Sequence, residues 1–238
     1  MKPLIESLDV RRLVRVEDLK PTVILMLAAV LLSIHRNFGS VEFALRTFSQ
    51  AQDLKAAIFM FATAFLLLGL VPLVVIVFLF RDRAATYGFQ LGDWKLGATF
   101  VLTLFPIITI ALLYPASQTH EMRAFYPLAK HASTSISGFL SLQITRVVLF
   151  YTAWEFFFRG FMLFGLRSYV GDWLAICIQM IPQCLWHIGM PTGELLSSIA
   201  GGVLFGIMAI KTKSLLWPLV LHSLIGISLD VFIVITSR

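Results

Sequence analysis

Seven apolar runs, each near the length of a bilayer crossing, constrain this chain more than any other feature. A hydrocarbon core of about 30 Å takes roughly 20 apolar residues as a helix. The runs are Leu19–Phe38, Ala56–Phe80, Leu96–Tyr114, Ile136–Leu166, Trp173–His187, Leu195–Ile210 and Ser214–Ile235. They are continuous and lack the two-residue alternation of a barrel strand, which excludes a transmembrane β-barrel. Hydrophobic residues make up 58% of the 238 positions and charged residues 13%, where a water-soluble domain carries about 45–50% and about 25%. The expected fold is therefore all-α, a polytopic transmembrane helical bundle of about seven spans. A nucleic-acid-binding domain, a secreted disulfide scaffold and a Rossmann-type enzyme are excluded. The net charge of +6 reads as the lysine and arginine excess that orients a membrane protein, with no nucleic acid as partner.

Three regions follow. Residues 1–20 form a basic amphipathic leader lying at the interface, with Arg11, Arg12 and Arg15 among valines and leucines. Its acidic residues Glu6, Asp9, Glu17 and Asp18 argue against a cleaved signal peptide. Residues 21–135 hold three spans and their connectors, and residues 136–238 a core of four helices. With the N-terminus inside, eleven lysines and arginines fall on inner segments and six on outer ones. That is the favoured orientation for a multi-pass protein of a bacterial cytoplasmic membrane. The fourth run is too long for one simple crossing, and Gly160 is the expected break. The fifth and sixth are short, as helices enclosed by neighbours would be. The segment Tyr87–Trp94 is expected to be an amphipathic connector with Trp94 at the interface. Ser198, Gly202 and Gly206, spaced by four, mark a face for close helix packing. Cys177 and Cys184 lie seven apart on one helix, about 10 Å at 1.5 Å per residue, too far for a disulfide.

Ionisable groups inside spans cost at least about 2.5–3.5 kcal/mol each at mid-bilayer, so they need partners and mark function. Glu155 and Arg159 stand one helical turn apart and can pair. His187 ends the fifth span, Glu194 opens the sixth after a Gly-Met-Pro-Thr-Gly turn, and His222 and Asp230 lie within the seventh. At about 1.5 Å per residue from the inner end, Glu155 lies near 18 Å, His187 at about 21–24 Å and His222 at about 12–14 Å. Helix tilts of about 20° close such a spread. One carboxylate and two imidazoles meeting in a bundle have two chemical uses. A divalent metal such as zinc could sit on Glu155, His187 and His222 and acidify water. Without a metal, the carboxylate acts as general base while imidazole stabilises the oxyanion. Both lead to hydrolysis within the membrane.

Three blocks of this sequence resemble the CAAX-protease and bacteriocin-processing family of intramembrane proteases, which includes the type II CAAX prenyl endopeptidases. The first is Trp154-Glu155-Phe156-Phe157-Phe158-Arg159-Gly160, similar to the family's Glu-Glu-x-x-x-Arg motif. The second is Leu185-Trp186-His187; the third runs from Gly202 to Gly206 and through Ser214–Pro218 to His222. The resemblance implies a membrane-embedded peptidase acting on a membrane-associated peptide or protein, by CAAX-type or leader-peptide processing. It implies catalytic roles for Glu155, Arg159, His187 and His222. Three positions depart from the pattern: Trp154 stands for the family's first Glu, Gln183 for a Phe, and Gly226 for an Asn or Asp. The usual water-activating carboxylate and one oxyanion donor are thus missing, and Glu194 is expected to turn toward His187 and replace the lost carboxylate. The alternatives are a catalytically inactive relative serving as an immunity or membrane scaffold protein, and a small transporter, against which stands the lack of any internal repeat.

Overall fold

The computed structural model describes residues 16–48 and 52–236; the interfacial reading of residues 1–15 lies outside them. Among the described residues the chain is helical, with no strand. A short 3-10 turn, Val16–Asp18, leads into α1 (Leu19–Phe38). The order continues α2 (Val41–Thr47), α3 (Asp53–Leu79), α4 (Trp94–Ser117), α5 (His120–Phe125) and α6 (Ile136–Val170). It closes with α7 (Asp172–Trp186), α8 (Thr192–Thr212) and α9 (Leu216–Thr236). Six of these, all but α2, α5 and α7, are long and apolar enough to cross a membrane. The 15 residues of α7 run between the ends of α6 and α8.

Local chemistry sets the boundaries. Ser40, Asp93, Thr119 and Ser135 each accept a backbone N–H at the start of α2, α4, α5 and α6, satisfying donors that a helix start leaves open. Gly171, at φ 81°, turns the chain out of α6, a conformation glycine adopts without steric cost. Pro72 and Pro106 lie beside π-helical stretches in α3 and α4, where the missing N–H interrupts the α pattern.

Two expectations are corrected here. α6 does not break at Gly160; it runs unbroken from Ile136 to Val170. Gly160 lies inside a π-helical stretch, Phe156–Phe164, and its missing side chain lets the Phe156 ring and the Tyr87 carbonyl close in. α7 and α8 are not enclosed on all sides: Trp173, Leu174, Ile181 and Leu185 are exposed along one face of α7, and Leu196 and Ile199 are exposed on α8, which at 21 residues is not short either. The shortness of α7 comes from its place between two tight turns. The Ser198–Gly202–Gly206 face is a packing face: Met180 and Ile176 of α7 lie against the two glycines, and Gln179 donates to the Gly202 carbonyl at 2.8 Å. The connector after Tyr87 is stitched to the α8–α9 turn. Leu215 N–H donates to Gly88 O, Asp93 N–H to Thr212 O, and the Trp217 indole to Leu91 O, while Trp94 is exposed at its end.

Burial singles out one element. α6 threads the middle of the bundle, with 72% of its most apolar window buried, against 17–33% for the other crossing helices. Phe157, Phe158 and Phe161 are fully enclosed in the main core with Trp154. At roughly 25 cal/mol per Å² of apolar surface removed from solvent, a ring of that size fixes the helix firmly in the bundle. What α6 carries is thereby held in place.

Candidate active site

Glu155 sits in a four-residue α-helical segment of α6, Thr152–Glu155, between two π-helical stretches, Arg146–Tyr151 and Phe156–Phe164. No proline occurs in α6 to cause them, and such widened turns collect at functional sites because they re-aim side chains. Here they bring Tyr151, Glu155 and Arg159 inward together. Glu155 and Arg159 are both fully buried. Arg159 Nε lies 3.2 Å from Glu155 Oε2, and the guanidinium also lies over the Phe205 ring. The other carboxylate oxygen, Oε1, is 2.6 Å from His222 Nδ1 on α9. That contact spans 67 residues of sequence and makes Glu155 the hinge between a cation and an imidazole.

His222 is half-buried, with its second nitrogen, Nε2, free of any protein partner among the described residues. It lines a cavity of about 340 Å³ together with Tyr151, Trp154, His187, Glu194 and Arg146. The rim carries exposed Arg36, Glu42, Ala124 and Gly189. The cavity therefore opens at the end of the bundle where α1 finishes and α8 begins.

The remaining expected residues fall as follows. His187, just past the last turn of α7, lines the same cavity and is anchored by Nδ1 on the Gln183 carbonyl at 2.7 Å. Trp154, in the place of the family's first Glu, is buried against Phe150, Phe158 and Trp186, and presents its plane at right angles to the His187 ring at 5.9 Å. It fills, with hydrocarbon, the space a second carboxylate would need. Glu194 faces the cavity, yet its hydrogen bond is not to His187. Its Oε1 accepts from the Tyr126 hydroxyl at 2.7 Å, and its Oε2 is buried with no partner among the described residues. Tyr126 stands in the connector after α5; burial, then the Glu194 carboxylate beside it, hold its hydroxyl protonated well above the usual tyrosine range. Asp230 is bound to Arg146 at 2.7 Å, with Gln143 donating to the same oxygen.

The donor set does not suit a metal ion. Among the described residues no three His, Cys, Asp or Glu side chains are grouped to hold one, and Glu155 is already engaged on both oxygens. Sequence reasoning missed three members of the site: Tyr126, Arg146 as the partner of Asp230, and Tyr151. Only Arg146 carried a signal, as an arginine inside an apolar run with no acidic residue one turn away.

Among known proteins, residues 136–228 match the family described as type II CAAX prenyl endopeptidase Rce1-like. The matched stretch takes in α6, α7, α8 and the part of α9 that bears His222, which are the elements that supply Glu155, Arg159, His187, Glu194 and His222. No curated protein and no solved structure matches the chain.

Proposed function

Because residues 136–228 belong to the type II CAAX prenyl endopeptidase Rce1-like family, we propose that this membrane protein is a peptidase whose water-activating group is His222, oriented by Glu155. The observation that carries the reading is the 2.6 Å contact between Glu155 Oε1 and His222 Nδ1, which leaves Nε2 turned to a cavity. A buried carboxylate on one imidazole nitrogen fixes the tautomer, so that the other nitrogen is the proton acceptor. Water held at Nε2 gives up its proton to the ring as its oxygen attacks the scissile carbonyl carbon. The carbonyl π electrons move to oxygen, and the tetrahedral intermediate then expels the amine as the carbon–nitrogen bond breaks. The leaving amine takes a proton from the imidazolium, or from Glu194 across the same cavity. His187 spends its ring N–H on the Gln183 carbonyl, so the nitrogen left for the cavity accepts a hydrogen bond from the attacking water. Arg159 neutralises the Glu155 carboxylate, and with one oxygen facing the guanidinium and the other the imidazole, that carboxylate is placed to orient a base rather than to meet water itself.

The loss of a carboxylate at Trp154 thus moves the role of base from glutamate to histidine. The substrate is a peptide or protein at the membrane, with the bilayer itself as the other partner. The inactive-relative reading rests on the same Trp154, which would serve a scaffold equally well as core packing. The purified protein in liposomes, given a membrane-anchored peptide, separates the two. Cleavage products by mass spectrometry support the peptidase; an intact peptide at prolonged incubation favours the scaffold. The side of the mouth separates the substrate sources. With the N-terminus inside, a cysteine introduced at Gly189 reacts with an impermeant thiol reagent from outside, which suits leader-peptide processing. Reaction only from the cytoplasmic side suits a CAAX-type tail.

A further inference from the structure

The hydroxyl of Tyr151 stands where a side chain at position 226 would project. A Cβ built on Gly226 would overlap Tyr151 Oη outright, with Cζ also inside contact distance. Gly226 lies one turn beyond His222 on α9, so the Tyr151 hydroxyl occupies the slot that α9 presents beside the imidazole. The two rings are in contact, with centroids 4.4 Å apart. Tyr151 is 6% exposed, and it lines the cavity. Its hydroxyl makes no hydrogen bond to any described residue, while Glu155 is engaged with His222 and Arg146 with Asp230. The Arg146 guanidinium lies 5.5 Å from the ring centroid, a cation placed to favour negative charge developing nearby. The hydroxyl opens on the cavity, and a phenol aimed at a reaction cavity gains its partner when substrate arrives.

We propose that the Tyr151 hydroxyl donates a hydrogen bond to the oxyanion of the tetrahedral intermediate, and that glycine at 226 is the vacancy that admits it. The inference rests on the peptidase reading above. No proton is transferred: the O–H bond stays intact, and the hydroxyl releases the oxyanion when the carbonyl re-forms. Gly226 is then a functional substitution, since any side chain there would displace the donor.

Four proteins test this: wild type, Tyr151→Phe, Tyr151→Ala, and Tyr151→Ala combined with Gly226→Asn. Removing one oxyanion donor costs about 10²–10³-fold in kcat. Tyr151→Phe, which keeps the ring, is therefore expected to lose that much in kcat with KM within twofold of wild type. The double variant is expected to recover at least tenfold over Tyr151→Ala, because an amide at 226 enters the emptied slot. A second readout needs no turnover: thermal stabilisation by a peptidyl phosphinate, whose tetrahedral oxygen mimics the oxyanion, is expected to be large in wild type and much reduced in Tyr151→Phe. Full kcat in Tyr151→Phe overturns the donor role. Loss in Tyr151→Phe without recovery in the double variant overturns the shared slot. A wild-type protein that neither hydrolyses peptide nor responds to the phosphinate overturns the peptidase reading itself, which keeps the two failures apart.

Discussion

Two buried ion pairs hold α6, and they behave differently. Glu155 and Arg159 pair within the helix, one turn apart, and their carboxylate reaches out to His222 at the cavity. Arg146 and Asp230 pair between α6 and α9, and there Arg146 also donates to the Gly226 carbonyl and to Gln143. The second pair spends itself on fixed protein acceptors: one guanidinium nitrogen of Arg146 is shared among Gln143, the Gly226 carbonyl and Asp230. Neither pair is fully satisfied, since Arg146 Nε and Asp230 Oδ1, like Arg159 Nε and Nη2 and Glu155 Oε2, lack well-aligned hydrogen bonds among the described residues. The difference lies in where each leads. A pair that only staples two helices keeps its contacts within the protein, whereas the Glu155 carboxylate turns one oxygen to an imidazole at the cavity.

Replacing one member of either pair gives the largest effect on stability. Arg159→Ala and Arg146→Ala each leave a buried carboxylate uncompensated and are expected to cost about 3–5 kcal/mol, read by thermal unfolding in detergent. The contrast appears when both members are replaced by apolar residues of similar volume. Such a swap is often neutral or stabilising, so both double variants should regain most of their stability. Only the Glu155–Arg159 double variant should lose hydrolysis completely. Equal activity in the two double variants would erase the distinction drawn between the pairs.

A smaller effect is expected at the far wall of the cavity. Glu194→Gln keeps size and hydrogen bonding but loses proton exchange, and general acid–base groups contribute about 10²–10⁴-fold. Because His222 is the principal base in this account, the loss should fall at the lower end, near 10²-fold in kcat, with unfolding unchanged. A loss equal to that of His222 variants would make Glu194 the base instead. Smallest is Tyr126→Phe, which removes the hydrogen bond that the Glu194 carboxylate accepts. A hydrogen bond to a charged group is worth about 1.5–3 kcal/mol; stability should fall by about that amount while kcat moves by less than tenfold.

The features that sequence could show are those set by short spacing. Glu155 and Arg159 are one turn apart, Ser198, Gly202 and Gly206 repeat by four, and the seven apolar runs stand out against their polar connectors. His187, Glu194 and His222 were found because each is an ionisable group in or beside an apolar run, and all three do line the cavity. What was illegible depends on how helices turn against one another. Arg146 and Asp230 are 84 residues apart, so nothing in their neighbourhoods couples them. Glu194 was expected at His187, but the connector after α5 brings Tyr126 closer. Gly160 read as a break because glycine is a poor α-helix former; a widened helix turn uses the same residue to admit a phenylalanine ring. Gly226 read as a loss, and in three dimensions its space is filled by Tyr151 from another helix.

The hydrogen bond from His222 to Glu155 is where the whole account can fail. Purified wild type and His222→Gln, reconstituted in liposomes with a membrane-anchored peptide, should show the same thermal midpoint to within a few degrees. Their kcat values should differ by about 10⁴-fold, the scale on which loss of a correctly oriented imidazole base acts. A His222→Gln protein that cleaves the peptide at a rate near that of wild type would contradict the assignment of His222 as the group that activates water.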